Sequence, residues 1–136
     1  MGGRSTVAAL AALGAALVTG FAAAAPVPYL RSVAPHRRHV VAVFSLGELV
    51  PGKILVAVKP TTGADGAFLP ANVRLQEAIA RTTRVRGGYR YQTRHTLRPR
   101  RYYVEVSGIV AGVDCTPRRP CPTEWSNVRR LTIPRP

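Results

Sequence analysis

Proline and glycine interrupt this chain so often after residue 25 that no long helix fits between them. Pro26, Pro28, Pro35, Pro51-Gly52, Pro60, Gly63, Gly66, Pro70, Gly87-Gly88, Pro99, Gly108, Gly112, Pro117, Pro120, Pro122 and Pro134 punctuate short runs rich in Val, Ile, Thr and Tyr. Proline removes a backbone donor and glycine raises the entropy cost of any regular element, so such runs form strands bounded by turns. The pattern predicts strands over residues 29–33, 39–46, 53–59, 73–78, 89–97, 101–109 and 128–133. Residues 73–80 also have the composition of a short helix; their place in the order favours a strand. The segment Gly47-Glu-Leu-Val-Pro-Gly52 reads as a hairpin turn between the second and third strands.

Side chains alternate across a strand, so the sequence also assigns faces. Tyr102, Val104 and Val106 form an inward set, with Tyr103, Glu105 and Ser107 on the opposite side. Ile54, Val56 and Val58 alternate with Leu55 and Ala57, which makes that strand apolar on both faces and hence central. In the strand from Tyr89, the alternation sets Arg90 and Arg94 together on a solvent face.

The first 25 residues read as an export signal. Arg4 supplies a positive n-region, residues 7–18 form a short apolar stretch, and Gly20-Phe21-Ala22-Ala23-Ala24-Ala25 offers small residues for cleavage after Ala22, Ala23 or Ala24. The alternative is an uncleaved anchor, but the stretch is Ala-rich and shorter than a full span of about 20 strongly apolar residues. The division is residues 1–24 as signal peptide and 25–136 as one domain, secreted or held in the cell envelope without stable membrane insertion. Loss of Arg4 with the leader takes the formal charge from +14 to +13. The folded domain is therefore itself strongly basic.

Cys115 and Cys121 are the only cysteines, in Cys115-Thr-Pro-Arg-Arg-Pro-Cys121. Two cysteines without a nearby histidine do not make a structural zinc site, and an oxidising compartment favours a disulfide. Closing so short a ring contributes on the order of 2 kcal/mol. The loop either tidies a long connection or presents Arg118 and Arg119 to a partner from a stiff support. Arg98, Arg100 and Arg101 form a second cluster, Arg84 and Arg86 a third, and Arg129 and Arg130 stand near the end. Together they are candidates for a polyanion-binding stripe. Trp125 reads as a buried or half-buried residue of the core, with stacking on Arg129 or Arg130 as the alternative.

Catalytic signals are missing. The serines sit in no nucleophile-elbow context, the carboxylates show no pairing, and no Gly-rich phosphate loop follows a strand. His36, His39 and His95 are scattered among arginines, which opposes metal binding. The chain is read as a non-enzyme with no metal and no cofactor.

At Leu97-Arg-Pro-Arg-Arg-Tyr102-Tyr-Val-Glu-Val106 the chain resembles a fibronectin type III domain, in which a Leu and a Pro precede a strand opening with a buried Tyr and alternating valines. Trp125-Ser126-Asn127-Val128, followed by an alternating strand, is similar to the last-strand start of such domains. Phe44 stands where the family usually carries a Trp. The resemblance implies an all-β, two-sheet antiparallel sandwich of about seven strands, with Tyr102 at a corner that ties the crossover between sheets. Tyr103 fits the family's spacing but turns Glu105 inward, at a desolvation cost, so Tyr102 is preferred. A related immunoglobulin-like sandwich is the alternative. The resemblance also implies that the corner and the cystine loop lie at different ends. Such modules bind, space or display. The expected role is a secreted, non-catalytic module for binding or structural display, its partner an unknown protein or an anionic envelope polymer. The alternative is a cationic protein that binds wall polymer, acidic polysaccharide or nucleic acid through charge, with no specific nucleic acid expected.

Overall fold

A computed structural model describes residues 28–60, 71–112 and 114–136. The segment read as a signal peptide lies outside the described residues. Nine strands are present among the described residues: β1 (Tyr29–His36), β2 (His39–Ser45), β3 (Val50–Ala57), β4 (Val73–Ala78), β5 (Thr83–Val85), β6 (Gly88–Gln92), β7 (Arg100–Ile109), β8 (Thr123–Trp125) and β9 (Arg129–Ile133). They form two antiparallel sheets. One has the order β1-β2-β6-β5; the other has β4-β3-β7-β8, with β9 pairing the first half of β7. The fold is an all-β sandwich, as the punctuated pattern predicts.

Phe44, Leu30, Val40 and Ala42 from the first sheet meet Ile54, Val56, Tyr102, Val104 and Val106 from the second. Phe44 is fully buried, 6.0 Å from the Tyr89 ring centroid. Burying a side chain of its size stabilises by about 2–3 kcal/mol. β3 is central, between β4 and β7, and Leu55 and Ala57 on its second face are also buried.

Three expectations are corrected. The segment after β2 is not a hairpin: Leu46 and Leu49 are buried, the Leu49 N–H donates to the Leu46 carbonyl at 3.0 Å, and the chain crosses to the other sheet. Both edges of β2 are already occupied by β1 and β6, so β3 has no place beside it. The strand from Tyr89 stops at Gln92 rather than 97, because the Thr93 hydroxyl accepts from the Val40 N–H at 2.9 Å where a ladder bond would continue. The strand expected over 128–133 is β9, and a further short strand, β8, precedes it across residues 126–128. Trp125 pairs with Ser107, on the face turned away from the core, so it is half-buried outside the core cluster.

Candidate functional site

The strand registers define two poles. Ser45, Val50, Gly88 and Ile109 mark one end of the sandwich, from which the cystine loop extends. The β1–β2 turn, the β6–β7 connection, the start of β7 and the end of β9 mark the other. Arg118 and Arg119 therefore lie at the opposite end of β7 from Arg98, Arg100 and Arg101, and the structure does not bring the two groups together.

At the cystine pole, Cys115 and Cys121 are joined, with Cα atoms 5.0 Å apart. Within the ring, Thr116 and Arg119 exchange backbone hydrogen bonds at 2.9 Å, and the Thr116 hydroxyl accepts from the Arg119 N–H at 3.0 Å. Pro117 presets the turn, so Arg118 is displayed at its tip. The exposed carboxylates Glu48, Asp114 and Glu124 share this end, which mixes the charge there.

The corner pole is built differently. The Tyr102 hydroxyl, on a 2 % exposed side chain, donates to the Arg98 carbonyl at 2.6 Å. Pro99 fixes the intervening backbone, and Arg98 and Arg100 are held at the rim of a hollow of about 440 Å³ shared with Arg74, Thr96, Leu97 and Tyr102. Alternation along β7 sends Arg101 to the opposite face of the sheet from Tyr102 and Arg100, so Arg101 does not join them. Arg74 was not singled out from the sequence. It enters because β4 lies at the sheet edge, a pairing with no local signature.

A second hollow of about 300 Å³ is lined by Pro35, Arg37, Arg38, Ile133, Pro134 and Arg135 among others. It adjoins the first through two links. The Leu97 N–H donates to the Arg38 carbonyl at 2.9 Å, while Arg38 Nε donates to the Leu97 carbonyl at 2.8 Å. Ile133 also pairs with Arg100. Arg37 and Arg38 form a two-residue hairpin turn with φ of 56° and 95°. Such turns favour Asn-Gly, because positive φ strains residues with a large side chain by about 1–2 kcal/mol.

Glu77 anchors the connection that feeds this pole. Its buried carboxylate accepts from the Tyr91 hydroxyl at 2.7 Å, the Arg94 N–H at 3.0 Å and the His95 N–H at 2.8 Å, with His95 Nδ1 2.7 Å away. Burial by itself would raise its pKa; these hydrogen bonds outweigh burial and lower it to about 2. Burial, then the hydrogen bond to Glu77, push the Tyr91 hydroxyl up to about 12. Arg94 Nε lies 4.0 Å from Glu77 Oε1, the arginine–carboxylate ion pair found among the described residues.

Glu105 differs. It lies opposite Leu55 on the outer face of the five-stranded sheet, as the alternation predicts, yet it is 1 % exposed. Its Oε1 has no hydrogen-bond partner among the described residues, and burial raises its pKa to about 7. No group of three or more His, Cys, Asp or Glu placed to hold a metal occurs among the described residues. No family model, curated protein or solved structure matches the chain.

Proposed function

We propose that the chain is an exported, non-catalytic β-sandwich of fibronectin type III-like design that binds an anionic polymer of the cell envelope. The observation that carries this reading is that one pole carries exposed arginines with no exposed carboxylate side chain of the described residues beside them. The exposed carboxylates of the described residues cluster at the cystine end, while Arg37, Arg38, Arg74, Arg98 and Arg100 stand at the other around two hollows. The other carboxylate side chains of the described residues, Glu77 and Glu105, are buried, and Glu77 is occupied by Tyr91, Arg94 and His95. A field concentrated in this way steers and holds polyanions better than the same charge spread evenly.

The fibronectin-type reading draws support from the Tyr102 hydroxyl bond to Arg98 and from the chain's repeated crossings between the two sheets. The first 25 residues support export, and the cystine suits an oxidising compartment.

Retention of the protein on anionic envelope polymer across a salt series tests the reading. Binding is expected, with log affinity falling linearly as log salt rises. Absence of retention at low salt overturns it. A second reading, recognition of a protein by the cystine loop, is favoured by the stiff Thr116–Arg119 turn. It predicts capture that survives moderate salt and is lost in Arg118→Ala/Arg119→Ala.

A further inference from the structure

We propose that the corner pole is a paired site for two successive acidic groups of one acidic polysaccharide. The hollow of Arg74, Arg98 and Arg100 takes one group, and that of Arg37 and Arg38 takes the next. The inference rests on the reading of the chain as an exported polyanion binder and assigns that binding to named residues.

Three observations converge here. The hollows adjoin, through the reciprocal hydrogen bonds of Leu97 and Arg38 and the pairing of Arg100 with Ile133. The arginines are carried on a preorganised support: the Tyr102 hydroxyl holds Arg98, Glu77 holds residues 94 and 95, and Thr93 ties the same connection to Val40. The backbone has little ordering entropy left to lose on binding, so guanidinium–oxyanion bonds there return more affinity than they would from a mobile loop. The third observation is strain. Two arginines occupy a left-handed hairpin turn that Asn-Gly would form without cost. Strained backbone persists where side chains are needed in that place.

The lining selects the class of polymer. Thr96 and three guanidiniums in the first hollow suit a carboxylate or sulfate. Pro35, Ile133 and Pro134 give the second an apolar wall against which a sugar face can lie. Neither hollow offers an exposed aromatic ring, since Tyr102 is buried, so nucleic-acid bases lack a stacking platform.

The test measures binding of short galacturonate oligomers by calorimetry, beside a single-stranded oligodeoxythymidylate of equal charge. Arg98→Ala/Arg100→Ala is expected to weaken galacturonate binding about tenfold or more, and Arg37→Asn several-fold. Arg84→Ala/Arg86→Ala, which removes the same charge near the cystine pole, is expected to stay within about twofold. Arg37→Asn should also melt higher than wild type, which separates a lost ligand contact from a damaged fold. Equal weakening by the Arg84/Arg86 and Arg98/Arg100 pairs, or unchanged binding by Arg37→Asn, overturns the paired site and leaves the polyanion reading standing. Tighter binding of the oligonucleotide than of galacturonate overturns the polymer class. Failure of wild type to bind either anionic envelope polymer or galacturonate overturns the underlying reading itself.

Discussion

The Asn127 carboxamide satisfies both backbone groups of Leu30, accepting from its N–H at 2.8 Å and donating to its carbonyl at 3.1 Å. Arg129 Nε donates to the same carbonyl at 3.0 Å, and its guanidinium lies 5.8 Å over the Tyr29 ring. The last strand thereby closes against the first at the point where the β1–β2 register shifts. Ser126 makes the junction possible: its N–H donates to the Val106 carbonyl at 2.9 Å, while its hydroxyl accepts from the Val106 N–H at 3.0 Å and donates to the Asn127 carbonyl at 2.8 Å, bridging to β7 in the gap between β8 and β9.

Asn127→Ala leaves the buried Leu30 N–H without that acceptor. The expected cost is about 1–3 kcal/mol, read as a lower urea midpoint at unchanged slope. A midpoint equal to wild type would remove the clamp from the account.

Glu77 makes the fold acid-sensitive in a defined window. Its folded pKa, about 2, lies below the ordinary carboxylate value. The stability it contributes is full above the unfolded pKa of about 4.3 and is lost as pH falls through the folded value. The amount is on the order of 3 kcal/mol, and Glu77→Gln should flatten stability between about pH 4.3 and pH 2. A variant with the wild-type acid slope would assign that loss to other carboxylates.

Glu105 has the opposite sign. With its pKa raised to about 7, the folded state holds its proton more tightly than the unfolded chain. Stability is greatest below the unfolded pKa and declines as pH rises through the folded value. Glu105→Gln should abolish a decline of about 3 kcal/mol between about pH 4 and pH 8, and the variant should be the more stable protein at pH 8. Parallel pH profiles for the two proteins would contradict this.

Relief of the hairpin strain gives a fourth outcome. Arg37→Asn keeps the Arg38–Leu97 bonds and places a residue tolerant of positive φ at the first turn position. Stability is expected to rise by about 0.5–1 kcal/mol, measured by thermal unfolding. A lower melting temperature would mean that the Arg37 side chain stabilises the fold beyond its backbone cost.

Much of the sandwich is legible in the chain because its signals are local. The alternation of Tyr102, Val104 and Val106 is a period of two written in neighbouring residues, and the apolar run 54–58 announces a central strand without any partner being known. Tyr102 was identifiable from the Leu and Pro before it, and Phe44 from its place in the second strand. The path from β2 to β3 was not identifiable, because a turn of that composition serves a hairpin or a crossover equally well, and the choice depends on which edges of β2 are taken. Trp125 faced outward for a related reason: its side was decided by pairing with Ser107, across an intervening loop.

The candidate site divides along the same line. The cystine and the arginine clusters at 98–101 and 118–119 are visible as residues, and the separation of those clusters follows from the length of β7. Arg74 and Arg37 join Arg98 and Arg100 only through pairings between strands distant in sequence, and Glu77 reaches His95 from the other sheet. The chain by itself determined the all-β class, the inward faces and the basic charge, since these depend on neighbours along the backbone. Tertiary structure alone decided which charges gather at one pole and which carboxylates are buried, since these depend on contacts that no stretch of sequence contains.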